Sequence, residues 1–305
     1  MTRTPPRVGL NFLPEGDFRA AALPLFEAGL VDALERDIDY AWGSHPRGER
    51  RDEPAWALEI LDAYAADDAL YGHGVWMSVM SGRWTSRQER WIAQLTDECR
   101  ARRYRHVSEH FGWLSAGPFW RNTMLPAPYT PATVALGVDR LRRLADAVGC
   151  PVGLENLGMG LGPVDAQEQG AFLGEILDAV DGFLLLDVHN VWTQAHNARL
   201  DPLALLRTYP LARVRELHVS GGDWYEPAPG ARPIRLDSHD GDVPGDVWPL
   251  VAEALACCPA LEVVFLERRG QTLGREPDRA AYRADFLALR AAVEAAFDVG
   301  EERCA

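Results

Sequence analysis

Short β-rich apolar runs recur about every 30 residues along this chain, separated by longer stretches with the apolar spacing of helices. The runs are Arg7–Phe12, Asp37–Trp42, Leu70–Ser78, Tyr104–Ser108, Val152–Glu155, Phe183–Val188, Val214–Val219 and Val263–Glu267. Strands that alternate with helices this regularly pair in parallel, and eight such units predict an α/β fold, the (β/α)8 TIM barrel. The helices are expected at Glu53–Ala66, Ser86–Arg102, Pro131–Val148, Ala166–Ala179, Pro202–Thr208, Asp246–Ala256 and Arg279–Phe297. Thr130-Pro131 and Asp201-Pro202 each place a capping residue before a proline in the first turn. No long linker divides the 305 residues, so residues 1–305 read as a single TIM-barrel domain. The longest irregular patch, Trp224–Pro233, reads as a loop over the site.

A formal net charge of -14, with no basic stripe, argues against nucleic acid as a ligand. Five cysteines without CxxC spacing suggest neither a disulfide framework nor a thiolate zinc site, and a reducing compartment follows. The start shows no signal-peptide core and no segment approaches the roughly 18 apolar residues of a membrane span. The expectation is a cytoplasmic protein that does not enter membranes.

A parallel barrel presents the C-terminal ends of its strands to one mouth, so what ends each apolar run decides the chemistry. Six runs end in metal-ligand types: His73; Glu109-His110; Glu155-Asn156; Asp187-Val188-His189-Asn190; His218; and Glu267. Asp237 and His239 add a carboxylate and an imidazole two residues apart. Carboxylates with several imidazoles suit iron, manganese, zinc or cobalt, and the absence of thiolates argues against an iron–sulfur cluster. The supply of donors exceeds what one ion uses, which implies at least two.

Each residue alone has a plainer reading. A solitary His73 can be a hydrogen-bonded structural residue, Asp187 can cap the following helix, and Glu267 can pair with Arg268 or Arg269. Gly158–Gly162 misses the GxGxxG spacing by one residue, which disfavours a nucleotide loop. His45, His106 and His196 read as structural or surface residues. The joint pattern of strand ends carries the argument.

In order, His73–Ser78, Val107–Trp113, Leu154–Asn156, Leu185–Val191, Glu216–Gly222 and Leu236–His239 resemble the multinuclear non-heme iron-dependent oxidative enzymes, the family that includes the oxygenase of methanobactin biosynthesis. The resemblance runs from about Val8 to Glu267. It implies a barrel of the xylose-isomerase-like type, two or three irons in ferrous and ferric states, and dioxygen as co-substrate. The expected substrate is a ribosomally made precursor peptide, modified at cysteine and delivered by a separate leader-binding partner protein. The family's metal ligands would fall on His73, His110, Glu155, Asp187, Asn190, His218, Asp237, His239 and Glu267, with Asp187, His239 and Glu109 expected to serve the reaction directly. Glu109 stands where the family usually has Asp, His189 where Asn is common, and Leu157–Gly162 departs from the usual pattern.

Two other readings compete. A sugar isomerase or epimerase on the same barrel would use one or two divalent ions with Glu155 or Glu267 as acid/base, although His73, His110 and His239 exceed its needs. A non-catalytic metal-binding subunit of a larger assembly is the other.

Overall fold

The computed structural model describes residues 3–42, 52–116 and 119–302; for 121–122 and 298–302 it describes backbone alone. His45 and Cys304 lie outside the described residues. In chain order the strands are β1 (Arg7–Phe12), β2 (Ala33–Asp37), β3 (Leu70–Gly74), β4 (Val107–His110), β5 (Trp113–Ala116), β6 (Phe119–Leu125), β7 (Val152–Glu155), β8 (Phe183–Asp187), β9 (Val214–Ser220), β10 (Trp224–Tyr225), β11 (Ile234–Arg235) and β12 (Val263–Glu267). Among the described residues, β1, β2, β3, β4, β7, β8, β9 and β12 close into a parallel barrel, while β5–β6 and β10–β11 are antiparallel hairpins beside it.

Helices α1 (Gly16–Glu27), α2 (Ala55–Ala66), α3 (Ser86–Ala101), α4 (Pro131–Val148), α5 (Pro163–Asp178), α6 (Val188–Ala198), α7 (Pro202–Leu206), α8 (Trp248–Cys257) and α9 (Glu276–Glu302) connect the strands. Thr130 accepts the Thr133 amide at 3.2 Å and Asp201 accepts the Ala204 amide at 2.7 Å, so α4 and α7 start where the Thr-Pro and Asp-Pro pairs place them. Among the described residues, no helix is long and apolar enough to cross a membrane.

Alternation along each strand divides the core in two. In Phe183-Leu184-Leu185-Leu186-Asp187, Leu184 and Leu186 face the helices and join the main apolar cluster. Burial of each contributes roughly 1.5–3 kcal/mol. The lumen has its own small apolar group, Ala33, Tyr71, Val263 and Phe265. That plug leaves the mouth end of the lumen to polar side chains.

Three expected strands need correction, and two helices are added. The second strand is Ala33–Asp37, not Asp37–Trp42, of which Ile38–Trp42 forms the turns after it. Its inward positions, Glu35 and Asp37, are acidic, so it lacks the apolar signature of a lumen-facing strand. The fourth strand runs Val107–His110, not Tyr104–Ser108, and the third stops at Gly74. Helices α1 and α6 were not expected; α6 starts directly on the last residue of β8 with no intervening turn residues.

Candidate metal centre

Inward positions at the mouth carry His73 from β3, His110 from β4, Glu155 from β7, Asp187 from β8, His218 from β9 and Glu267 from β12. The register sets His110 beside Glu155 and Asp187 beside His218. Asp237 and His239 reach the same space from the loop after β11, with His239 at a φ of 53°.

Three overlapping groups result at the mouth, and a fourth, Glu35, His218 and Glu267, reaches below it. Glu155 Oε2 lies 3.3 Å from both His73 Nε2 and His110 Nε2. His218 Nδ1 lies 3.1 Å from Glu267 Oε2 and 4.0 Å from Glu155 Oε1. His239 Nε2 lies 2.6 Å from Asp237 Oδ1 and 3.8 Å from Glu267 Oε2. Asp187 joins the second group with Glu155 and His218, and the third with His239 and Glu267, each within 4.8 Å. Ligand atoms around one ion at bonds of about 2.1 Å stand roughly 3 Å apart, so these separations suit shared cations.

Glu155 Oε2, Asp187 Oδ2, Asn190 Oδ1, His218 Nδ1, His239 Nε2 and Glu267 Oε2 are buried and make no hydrogen bond among the described residues. Buried polar atoms outside hydrogen bonds are costly, and so many from separate elements converging on one space, several of them facing an opposite charge at 2.6–3.3 Å, fit a metal centre. The electrostatics agree. Burial, then Asp237, Glu155 and Glu267, holds Asp187 well above the ordinary carboxylate range. Burial opposes charge on His73, yet Glu155 and Glu35 push it up to about 10; facing carboxylates likewise hold His218 and His239 well above their usual value. Protons gather where carboxylates crowd, and a bound cation would replace them.

Asp187 fills both roles considered for it. Its Oδ1 accepts the Asn190 amide at 2.7 Å and caps α6, while Oδ2 stays free toward the centre. Asn190 Nδ2 donates to the Asn156 carbonyl at 3.0 Å, and a Cβ at Gly158 would stand 2.5 Å from Asn190 Oδ1; glycine lets this loop approach so closely. Glu267 pairs with histidines rather than arginine, since Arg268 turns to Asp242. Glu109 does not join the cluster. It points outward from β4, where its carboxylate accepts the Met77 and His110 amides at 2.7 and 2.6 Å.

Two residues near the centre were not expected there, and His189, named at the end of the Phe183–Val188 run, takes a supporting place. Glu35 lies 3.1 Å from His218 Nε2, and the misplacement of β2 hid it. His106 is buried and binds Glu216 at 2.8 Å, a pairing signalled only by the inward alternation His106, Ser108, His110 and Glu216, His218. His189 is buried behind Asp237 at 3.7 Å, where it holds the loop carboxylate from α6. His196 sits at the edge of a 360 Å³ cavity with Trp224, Arg232 and Pro233, away from the mouth cluster.

Residues 50–275 match the family model of the RiPP precursor modification enzymes MbnB/TglH/ChrH. A UPF0276 protein of Anaeromyxobacter sp. is 31% identical over 199 residues, 65% of this chain and 68% of the relative. One from Acaryochloris marina is 32% identical over 151 residues, 49% of this chain and 52% of the relative. Among solved structures, an L-ribulose 3-epimerase shares 13% identity at a TM-score of 0.55, covering 98% of both chains. A xylose isomerase domain containing protein from Salmonella typhimurium shares 15% at 0.56, covering 96% of this chain and 99% of its own. At such identities the likeness shows a xylose-isomerase-like TIM barrel and nothing of its chemistry.

Proposed function

The chain belongs to the RiPP precursor modification enzymes of the MbnB/TglH/ChrH family, and from that premise we propose that it oxidatively modifies a ribosomally synthesised precursor peptide at a cysteine, using two or three irons and dioxygen. The observation that carries this reading is the convergence of unpaired buried nitrogen and oxygen atoms on one barrel mouth. His73, His110 and Glu155 would hold one ion; Asp187, His218 and Glu155, with Asn190 beside Glu155, a second; His239, Asp187 and Glu267, with Asp237, the outermost. Bound there, iron supplies electrons to dioxygen and lowers the pKa of a substrate thiol.

The protein's own part is placement and exclusion of water. Side chains of Glu155, Asp187, His218 and Glu267 are almost wholly buried, whereas His239 and Asp237 are 25% and 27% exposed. A peptide thiol therefore meets the centre on the Asp237–His239 side. Glu109 serves through His110, whose backbone it anchors, rather than by touching substrate. Precursor peptides are made in the cytoplasm, the compartment proposed here, and a leader-binding partner protein would deliver them. The net charge of -14 favours a basic peptide or partner.

The test is oxygen uptake by the iron-loaded protein with cysteine-containing precursor peptides and a leader-binding partner, with peptide mass followed in parallel. Oxygen-dependent mass change in the peptide is expected. Isomerisation of a free sugar under anaerobic conditions with manganese, and no peptide oxidation, would favour the epimerase reading instead. Against that reading, His73, His110, Asp237 and His239 supply donors beyond a one-ion set of Glu155, Asp187, His218 and Glu267.

A further inference from the structure

Beneath the mouth, the lumen carries a second tier of buried polar groups, Asn11, Glu35, His106 and Glu216, of which Glu35 also stands within 4.8 Å of donor atoms of His218 and Glu267. Glu35 Oε1 lies 3.1 Å from His218 Nε2 in hydrogen-bond geometry. Its other oxygen accepts Asn11 Nδ2 at 2.9 Å, and the same amide nitrogen donates to Asp37 at 3.0 Å, which locks the carboxylate plane. Glu216 Oε1 stands further from His218 Nε2, at 3.4 Å, and its Oε2 is engaged by His106 at 2.8 Å. On the opposite edge of the same imidazole, Nδ1 makes no hydrogen bond and faces Glu267.

We propose that Glu35, locked by Asn11, is a positioning residue for the metal centre: it accepts the Nε2 hydrogen of His218 and so turns Nδ1 toward the metal as the donor atom. A neutral imidazole carries one N–H, and the carboxylate that takes it decides which nitrogen is left to ligate. Fixing the ring plane from below also spares the entropy of ordering it when the ion binds. The inference rests on the metal-binding part of the proposed function and is independent of peptide or oxygen.

The test compares full-length wild type, Glu35→Gln and Glu35→Ala by anaerobic Fe(II) titration against a competing chelator. Gln keeps an acceptor for His218, so E35Q should bind within a few-fold of wild type, whereas E35A should weaken Fe(II) by roughly 10–100-fold. E35A at wild-type affinity would overturn the proposal, as would loss of a whole metal equivalent in E35Q, which would make Glu35 a ligand. A second measurement needs no variant. In Zn(II)-loaded wild type labelled with 15N-histidine, two-bond correlations should show His218 protonated at Nε2; protonation at Nδ1 would overturn it. Failure of peptide oxidation with these results intact would count against the proposed function alone.

Discussion

Asn156 is bonded twice to the backbone of Asp187: its Oδ1 accepts the Asp187 amide at 2.7 Å and its Nδ2 donates to the Asp187 carbonyl at 3.0 Å. β7 ends at Glu155, and the Asn156 side chain extends the pairing with β8 by one residue, fixing both carboxylates at the mouth. Asn156→Ala would leave the buried Asp187 N–H without this acceptor and strip one donor from the buried Asp187 carbonyl. The expected cost is about 2–4 kcal/mol in urea unfolding, with weaker metal binding. Metal affinity unchanged at full stability would contradict this role.

Glu155 faces His73 and His110 on one side and His218 on the other, whereas Asp237, among the described residues, pairs with His239 and His189. Glu155→Ala should therefore leave at most one ion per chain, and Asp237→Ala should lose one only. Elemental analysis of the two variants, with circular dichroism to confirm folding, checks the order. Equal losses would mean that Glu155 bridges nothing.

Much of this centre was legible because a carboxylate or imidazole after three apolar residues, as in Leu184-Leu185-Leu186-Asp187, has few places to go in a barrel except the mouth. Glu155, Asp187 and Glu267 were visible for that reason, His73 and His218 because they stand near the ends of strand runs, and the structure brings them together. Glu35 was not, because Ala33-Leu34-Glu35-Arg36-Asp37 alternates with its polar residues facing the lumen, the reverse of the usual pattern. Apolar periodicity then drew the strand toward Trp42. His106 escaped for a related reason: its partner Glu216 is 110 residues away and only barrel closure joins them.

Asp39 sits in the turn after β2, buried, where Oδ2 accepts Trp91 Nε1 at 2.8 Å and the Trp76 amide at 2.7 Å. Burial pushes its carboxyl up to about 6 against those hydrogen bonds. A carboxyl with a raised pKa takes up a proton on folding, so its contribution is present at low pH and lost as pH rises through about 4 to 6. Wild type should lose about 1–3 kcal/mol relative to Asp39→Asn between pH 4 and 7. Urea midpoints across that range test this; a wild type that gains on Asp39→Asn as pH rises would contradict it.

Burial pushes the thiols of Cys99 and Cys258 up to about 12 and that of Cys150 up to about 11, while Cys257 is exposed at the end of α8. Among these four, Cys257 should alkylate first when native protein meets iodoacetamide near neutral pH, and the other three only on unfolding. Peptide mapping after timed labelling reads the order. Early labelling of Cys99 or Cys150 would contradict this order.

Iron content per chain, with the Mössbauer spectrum and its response to oxygen, is the most direct measurement on protein purified anaerobically from iron-supplemented cells. Two or three irons in a coupled, mixed-valence, oxygen-sensitive centre are expected from the overlapping donor groups at the mouth. A stoichiometric content of manganese, zinc or magnesium, with no tightly held iron, would contradict the oxidative assignment.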